Sequence, residues 1–175
     1  MLQVTSECIL RPWEKEDAPG LYAIANNPKI AANLRDAFPS PYIYQNAVDY
    51  ISMAMSQTEN PALFAIVINN KIAGSLGMHA KTDVQRFSVE MGYFLAEEHW
   101  GKGIMTKCVK TACHYTFENF PVIRIYTEVF ATNHASRKVM EKSGFRLEGV
   151  LRKAVYKNGQ FLDCCMYGLL KESEQ

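Results

Sequence analysis

With 175 residues, 48% hydrophobic and 21% charged, the chain has the length and balance of one soluble α/β domain, residues 1–175, built around a single core. A formal net charge of +1 without any long run of one sign argues against both a nucleic-acid-binding stripe and a polybasic membrane patch. The longest strongly apolar run, Leu63 to Ile68, is far too short to cross a bilayer, and the N-terminus lacks the pattern of a signal peptide.

Five cysteines, Cys8, Cys108, Cys113, Cys164 and Cys165, form no CxxC pair, which points to reduced thiols and a cytoplasmic location. His79, His99, His114 and His134 are scattered without an HExxH or paired Cys/His spacing. No metal site is expected.

In chain order, Cys8 to Trp13 reads as a short opening strand. Glu14 to Asn27 follows as a helix whose early carboxylates suit its N-terminus. The loop "RDAFPSPYIY" carries three aromatic residues and two prolines, and a second helix is predicted from about Tyr44 to Gln57. Strands at Ala62 to Ile68 and Ile72 to about Ala80, joined by an Asn69–Lys71 turn, form a hairpin.

Phe87 to Leu95 alternates with period two, so Phe87, Val89, Met91, Tyr93 and Leu95 share one face, and Ser88, Glu90 and Gly92 the other. The loop "EEHWGKG" leads into a helix from about Gly103 to Asn119, with Met105, Cys108, Val109, Ala112, Tyr115 and Thr116 along a mainly apolar face. Val122 to Phe130 is a strand. Asn133 to Gly144 is a short helix with an asparagine start and a glycine stop. A hairpin of Phe145–Tyr156 and Gln160–Leu170 around a turn at Lys157–Gly159 closes the chain.

A strand, a glycine loop and a helix in succession suit an anionic ligand. The first backbone N–H groups of a helix have no internal partner, and glycines let an anion approach them. The loop "HWGKGIMTK" is not a Walker A motif, because Gly103 follows Lys102 where a hydroxyl residue is needed for magnesium. A dinucleotide fingerprint fails too, since Thr106 stands in place of its third glycine and hairpins dominate over βαβ repeats. A tight strand-to-helix turn with no ligand is the bland alternative.

The order of elements, the loop "WGKGIMT" after a central strand and above all "NHASRKVMEKSGFRLEGVLR" together resemble the GNAT acyltransferase superfamily, particularly its RimJ/RimL-type branch that acts on protein N-termini. The resemblance covers nearly the whole chain and is most specific from Asn133 to Gly149. It implies a mixed, mostly antiparallel central sheet of about seven strands flanked by helices. It also implies acetyl-CoA as cosubstrate, a primary amine as acceptor and direct attack in a ternary complex formed by a monomer or homodimer. The leading acceptor is a protein or peptide N-terminal α-amine; polyamines, amino acids and aminoglycosides are the alternatives, with a non-catalytic acyl-CoA sensor as the rival outside enzymology.

The family's signature loop is Gln/Arg-x-x-Gly-x-Gly/Ala, its backbone amides holding the pyrophosphate. Here Trp100 falls at the first position, Gly103 at the central glycine and Met105 at the last, so the resemblance implies a cradle made by Trp100, Gly101, Lys102, Gly103, Ile104, Met105 and Thr106. The preceding strand splays from its neighbour in this family, and Tyr93, Phe94 and Leu95 would offer backbone groups to the pantetheine arm. Gly92 marks either that bend or a relief of packing.

Glu90, a carboxylate in mid-strand, matches a catalytic or substrate-orienting glutamate of the family; a structural salt bridge or a solvated face is the alternative. Met140 stands where many members carry a proton-donating tyrosine, and a thioether cannot donate. Ser136, one turn earlier on the same helix face, is the implied donor to the leaving sulfur, with Asn133 on the pantetheine, as an N-cap, or both. Lys102, Arg137 and Lys138 are candidates for the coenzyme phosphates or else solvated surface. The family layout puts Phe38, Tyr42 and Tyr44, together with Tyr156 of the last hairpin, around the acceptor.

Overall fold

The computed structural model describes residues 1–57 and 63–172. One eight-stranded sheet runs through them in the order β1-β2-β3-β4-β5-β6-β8-β7. The strands are β1 (Leu2–Gln3), β2 (Cys8–Pro12), β3 (Leu63–Ile68), β4 (Lys71–Ala80), β5 (Ser88–Leu95), β6 (Arg124–Phe130), β7 (Arg146–Lys157) and β8 (Gln160–Leu170). Every neighbouring pair is antiparallel except β5 and β6. The strand beyond the expected seven is β1, which at two residues is too short to show any period. Ala62, where the hairpin's first strand was expected to begin, lies outside the described residues.

Helices cover both faces of the sheet. One face meets α4 (Ile104–Asn119) and α5 (His134–Lys142), and the other meets α1 (Ala18–Ala25) and α3 (Tyr44–Ser56). Strand β3 shows why both layers are needed. Phe64, Ile66 and Ile68 enter the core beneath α4, while Leu63, Ala65 and Val67 enter the core beneath α1 and α3. Its unbroken apolar run is therefore the pattern of a strand buried on both sides. The β3–β4 connection uses Asn69 and Asn70 at φ 48° and 61°, the two left-handed residues of a type I′ hairpin turn.

The helix expected from Glu14 to Asn27 is a 3-10 turn running into one α-helix, and a further short helix outside that expectation lies just beyond it. A 3-10 turn at Lys15–Asp17 precedes α1, and α2 (Pro28–Ala31) follows it. Asn26 leaves helical geometry at φ −76°, ψ 61°, and the Asn27 side chain accepts from the Lys29 N–H at 2.9 Å to start α2. The strand expected from Phe87 begins at Ser88; Phe87 itself is exposed beneath the Arg86 guanidinium.

Two irregularities shape the functional end. Strands β5 and β6 pair only through Ser88–Glu90 and Arg124–Tyr126, although β5 continues to Leu95 and β6 to Phe130. Beyond Glu90 the neighbours part, while β6 stays paired with β8 along its whole length. In β7 the register shifts between Leu151 and Val155, Lys153 takes φ 51°, and its N–H is held by Asp163 Oδ1 at 2.8 Å. This bulge redirects the strand, and Ala154 to Lys157 line the cleft described next.

Candidate active site

A cleft of about 1510 Å³ opens where β5 and β6 separate. One wall comprises the end of β5, the glycine loop and the starts of α4 and α5. The other comprises the loop between α2 and α3, the opposite face of β5, Glu128 of β6 and the tip of β7. The separation leaves alternate peptide groups of Met91 to Leu95 without a β6 partner, a free edge to which an extended ligand can add like a strand. An added Cβ on Gly92 would meet nothing within 4 Å, so this glycine keeps the floor of the cleft open rather than relieving a protein contact.

The loop and α4 form the first subsite. Gly101 and Gly103 take φ 73° and 74°, a left-handed conformation that costs other residues about 1–2 kcal/mol. No side chain caps α4, and a backbone bond links the Lys107 N–H to the Gly103 carbonyl at 3.3 Å. The residues carrying the preceding N–H groups, Ile104 to Thr106, line the cleft at the positive end of a sixteen-residue helix, an arrangement able to hold an anion. The Trp100 indole N–H donates to the Leu95 carbonyl at 2.7 Å. Trp100 therefore ties the loop to β5, and the Leu95 carbonyl is already engaged instead of being free for a pantetheine arm.

On α5, the Asn133 side chain accepts from the Ser136 N–H at 3.1 Å and caps the helix. Its amide remains available toward the cleft, which Asn133, Ser136 and Lys138 all line. Ser136 Oγ lies 2.7 Å from the Tyr93 hydroxyl. Burial pushes the Tyr93 phenol up to about 12, against the lowering effect of the Ser136 hydrogen bond, so the pair carries its protons throughout the neutral range. Met140 is fully buried in the core and takes no part in the cleft. The sequence points to the backbone of Tyr93 but not to its side chain. The pairing with Ser136 joins residues 43 positions apart, a contact that no local pattern reveals. Lys142, one turn beyond Lys138, also lines the cleft.

The opposite wall is made of side chains. Glu90 is bonded by Arg35 and, at 3.3 Å, by Lys81. The same Arg35 nitrogen donates to Glu128 at 3.1 Å. Burial raises the Glu90 carboxyl, but the Arg35 charge and the hydrogen bonds from Lys81 and Arg35 outweigh it and hold the group below its ordinary value. Glu90 is thus an ionised anchor and a weak base. Phe38 stacks near Tyr42 and Phe94 at centroid distances of 5.0 and 5.4 Å, giving an apolar wall beside these charges. Buried Lys157 reaches Asp36 at 2.7 Å, fastening the β7 tip to the α2–α3 loop, and exposed Tyr156 lies on the lip.

Three expected contacts fall elsewhere. Tyr44 begins α3 and packs edge-on against Tyr22 at 6.0 Å, outside the cleft. Lys102 is exposed between the two glycines and is not part of the lining. Arg137 turns toward the Tyr167 hydroxyl and the Ala131 carbonyl and is not part of the lining. A loop motif carries no rotamer or helix phase for these residues, and both decide where a long side chain points.

Among the described residues, no group of three or more His, Cys, Asp and Glu side chains is placed to hold a metal ion. No described helix is long and apolar enough to cross a membrane.

A family model described as an acetyltransferase (GNAT) domain matches residues 7–146. The uncharacterized N-acetyltransferase YoaA of Bacillus subtilis (strain 168) is 28% identical, with 97% of each chain covered. Among solved structures, RimL, a ribosomal L7/L12 α-N-protein acetyltransferase in complex with coenzyme A, superposes with a TM-score of 0.87 at 22% identity over 97% of both chains. The microcin C7 self-immunity acetyltransferase MccE, in complex with acetyl-CoA and AMP, superposes at 0.82 with 26% identity, covering 96% of this chain and 94% of its own.

Proposed function

We propose that this chain, which belongs to the GNAT acetyltransferase family, directs its acetyl-CoA-dependent N-acetyltransferase activity to the N-terminal α-amine of a protein or peptide. The observation that carries the acceptor assignment is the state of Glu90. Ion-paired with both Arg35 and Lys81, it is a poor base for any ammonium group, so the site suits an α-amine, reference value about 7.7–8.0, a sizeable fraction of which is already neutral near pH 7, over a lysine-like amine near 10.4. The resemblance to RimL supports the same class of acceptor.

In this reading the α4 N-terminus and its glycine loop bind the pyrophosphate, with Lys138 and Lys142 beside the phosphates. The free edge of β5 beyond Glu90 seats the pantetheine arm, and its unpaired N–H groups orient the thioester carbonyl and receive negative charge as the carbonyl is attacked. The acceptor enters along Phe38, Tyr42 and Tyr156. Glu90 hydrogen-bonds the amine, directly or through water, and receives or relays the proton it sheds. The amine lone pair forms the new C–N bond, the C–S bond breaks, and Ser136 gives its proton to the departing thiolate. Tyr93 passes a proton to Ser136 and regains one from solvent in the cleft, so both hydroxyls end the cycle protonated while the proton shed by the amine leaves through Glu90.

No cysteine lines the cleft, and all five are buried, which favours direct transfer over a thioester on the protein. The free thiols also fit a reducing, cytoplasmic setting, and residues 1–175 serve as one catalytic domain. The test is acetyl transfer from acetyl-CoA to two versions of one lysine-containing peptide, with free and blocked N-termini, read by mass spectrometry. Modification of the free version alone is expected. Equal modification of both would transfer the assignment to side-chain amines.

A further inference from the structure

We propose that Arg35 is the charge filter of the acceptor site: by neutralising Glu90 and Glu128 together, it favours acceptors that bring one ammonium group and disfavours polycationic amines. The inference rests on the α-amine reading above and adds a specificity determinant to it. A single Arg35 nitrogen, Nη2, meets carboxylate oxygens from two neighbouring strands. Glu90 is opposite Tyr126 in the β5–β6 register, and Glu128 lies two residues farther along β6, so the two carboxylates share a sheet face.

Charge balance at this end of the cleft depends on that one side chain. Glu90 and Glu128 bring two negative charges, answered by Arg35 and Lys81. Asp36 is answered by Lys157. Among the described residues, Asp49 is the one acidic side chain lining the cleft without an ion pair; it is exposed on α3 and accepts from the Gln45 amide. With Arg35 in place, both carboxylates on the β5–β6 face are paired, and Asp49 alone among the described lining carboxylates is left for a second ammonium group. Without it, Glu128 is unpaired, because Lys81 reaches only Glu90. Opposite charges placed in register across an interface select partners more strongly than they add affinity.

Arg35 can impose this selection without holding the fold together. Its side chain is 61% exposed and belongs to the loop between α2 and α3, so replacing it creates no cavity in either core.

The test compares kcat/KM for a neutral peptide bearing a free α-amine with that for spermidine in the wild type, Arg35→Gln, Arg35→Lys and Arg35→Gln/Glu128→Gln. Arg35→Gln should shift the ratio toward spermidine by about tenfold, mainly through the spermidine KM, and high salt should shrink the shift. Arg35→Lys retains the charge and should keep the wild-type ratio. The double variant, with the exposed carboxylate removed, should return toward it. An unchanged ratio in Arg35→Gln, or an equal shift in Arg35→Lys, overturns the filter. Failure of the wild type to acetylate the peptide would instead sink the α-amine reading, so the two failures are distinguishable.

Discussion

The wall proposed to receive the coenzyme is made largely of backbone: the glycine loop, the uncapped start of α4 and the free edge of β5. The wall proposed to receive the acceptor is made of side chains brought from Arg35, Phe38, Tyr42, Glu90, Glu128 and Tyr156 on separate elements. Backbone donors recognise what every acyl-CoA shares, a pyrophosphate and an amide-bearing arm. Side chains can be exchanged without disturbing those donors. One fold can therefore hold a constant donor substrate while its acceptor changes.

Substitutions on each wall should separate in kinetics. The largest effect is expected for Ser136→Ala, which removes the proposed proton donor to the thiolate. Its kcat should fall about a hundredfold with little change in the acetyl-CoA KM. Tyr93→Phe, which leaves Ser136 in place, should cost less. A fall in acetyl-CoA affinity with unchanged kcat for Ser136→Ala would assign the serine to binding alone.

Gly103→Val comes next. Forcing a β-branched residue to φ 74° costs about 1–3 kcal/mol, and the added atoms crowd the anion cradle. Acetyl-CoA affinity by calorimetry should fall about thirtyfold, converting a mid-range strain cost into binding loss. Wild-type affinity in this variant would remove the loop from the coenzyme site.

Glu90→Gln should lower kcat/KM for the acceptor by about tenfold, with no change in acetyl-CoA binding. Because the folded Glu90 carboxyl lies below its ordinary value of 4.5, the acid limb of the rate profile should follow the amine and keep its midpoint in the variant. The same shift has a stability consequence. Glu90 binds protons less readily folded than unfolded, so its contribution is complete above the ordinary value and is lost as pH falls through the lowered folded value. Thermal unfolding of Glu90→Gln should depend less on pH across that acid window. An equal pH dependence in both proteins would contradict the ion-paired state.

Tyr44→Ala should change neither KM nor kcat beyond twofold, since Tyr44 packs on Tyr22 outside the cleft. A tenfold rise in acceptor KM would return this residue to the site.

The same contrast explains what the sequence discloses. Backbone function leaves local marks: Gly101 and Gly103 flank the start of α4, Gly92 interrupts an alternating strand, and Asn133 opens α5. The outline of the proposed coenzyme wall is therefore legible in the order of residues alone. The β1 strand and the short α2 are not, because two residues and four residues are too few to show a period. The acceptor wall depends on rotamers and long-range closure. Arg35 is 55 residues from Glu90 and 93 from Glu128, and nothing in its neighbourhood announces either partner. Lys102 and Arg137 have suitable chemistry, but the backbone turns them elsewhere.

Two-substrate steady-state kinetics, followed by intact mass of the protein after exposure to acetyl-CoA alone, tests direct transfer in a ternary complex most closely. Intersecting double-reciprocal lines and an unmodified protein are predicted. Parallel lines with a chemically competent acetyl-protein would contradict direct attack and require a covalent intermediate.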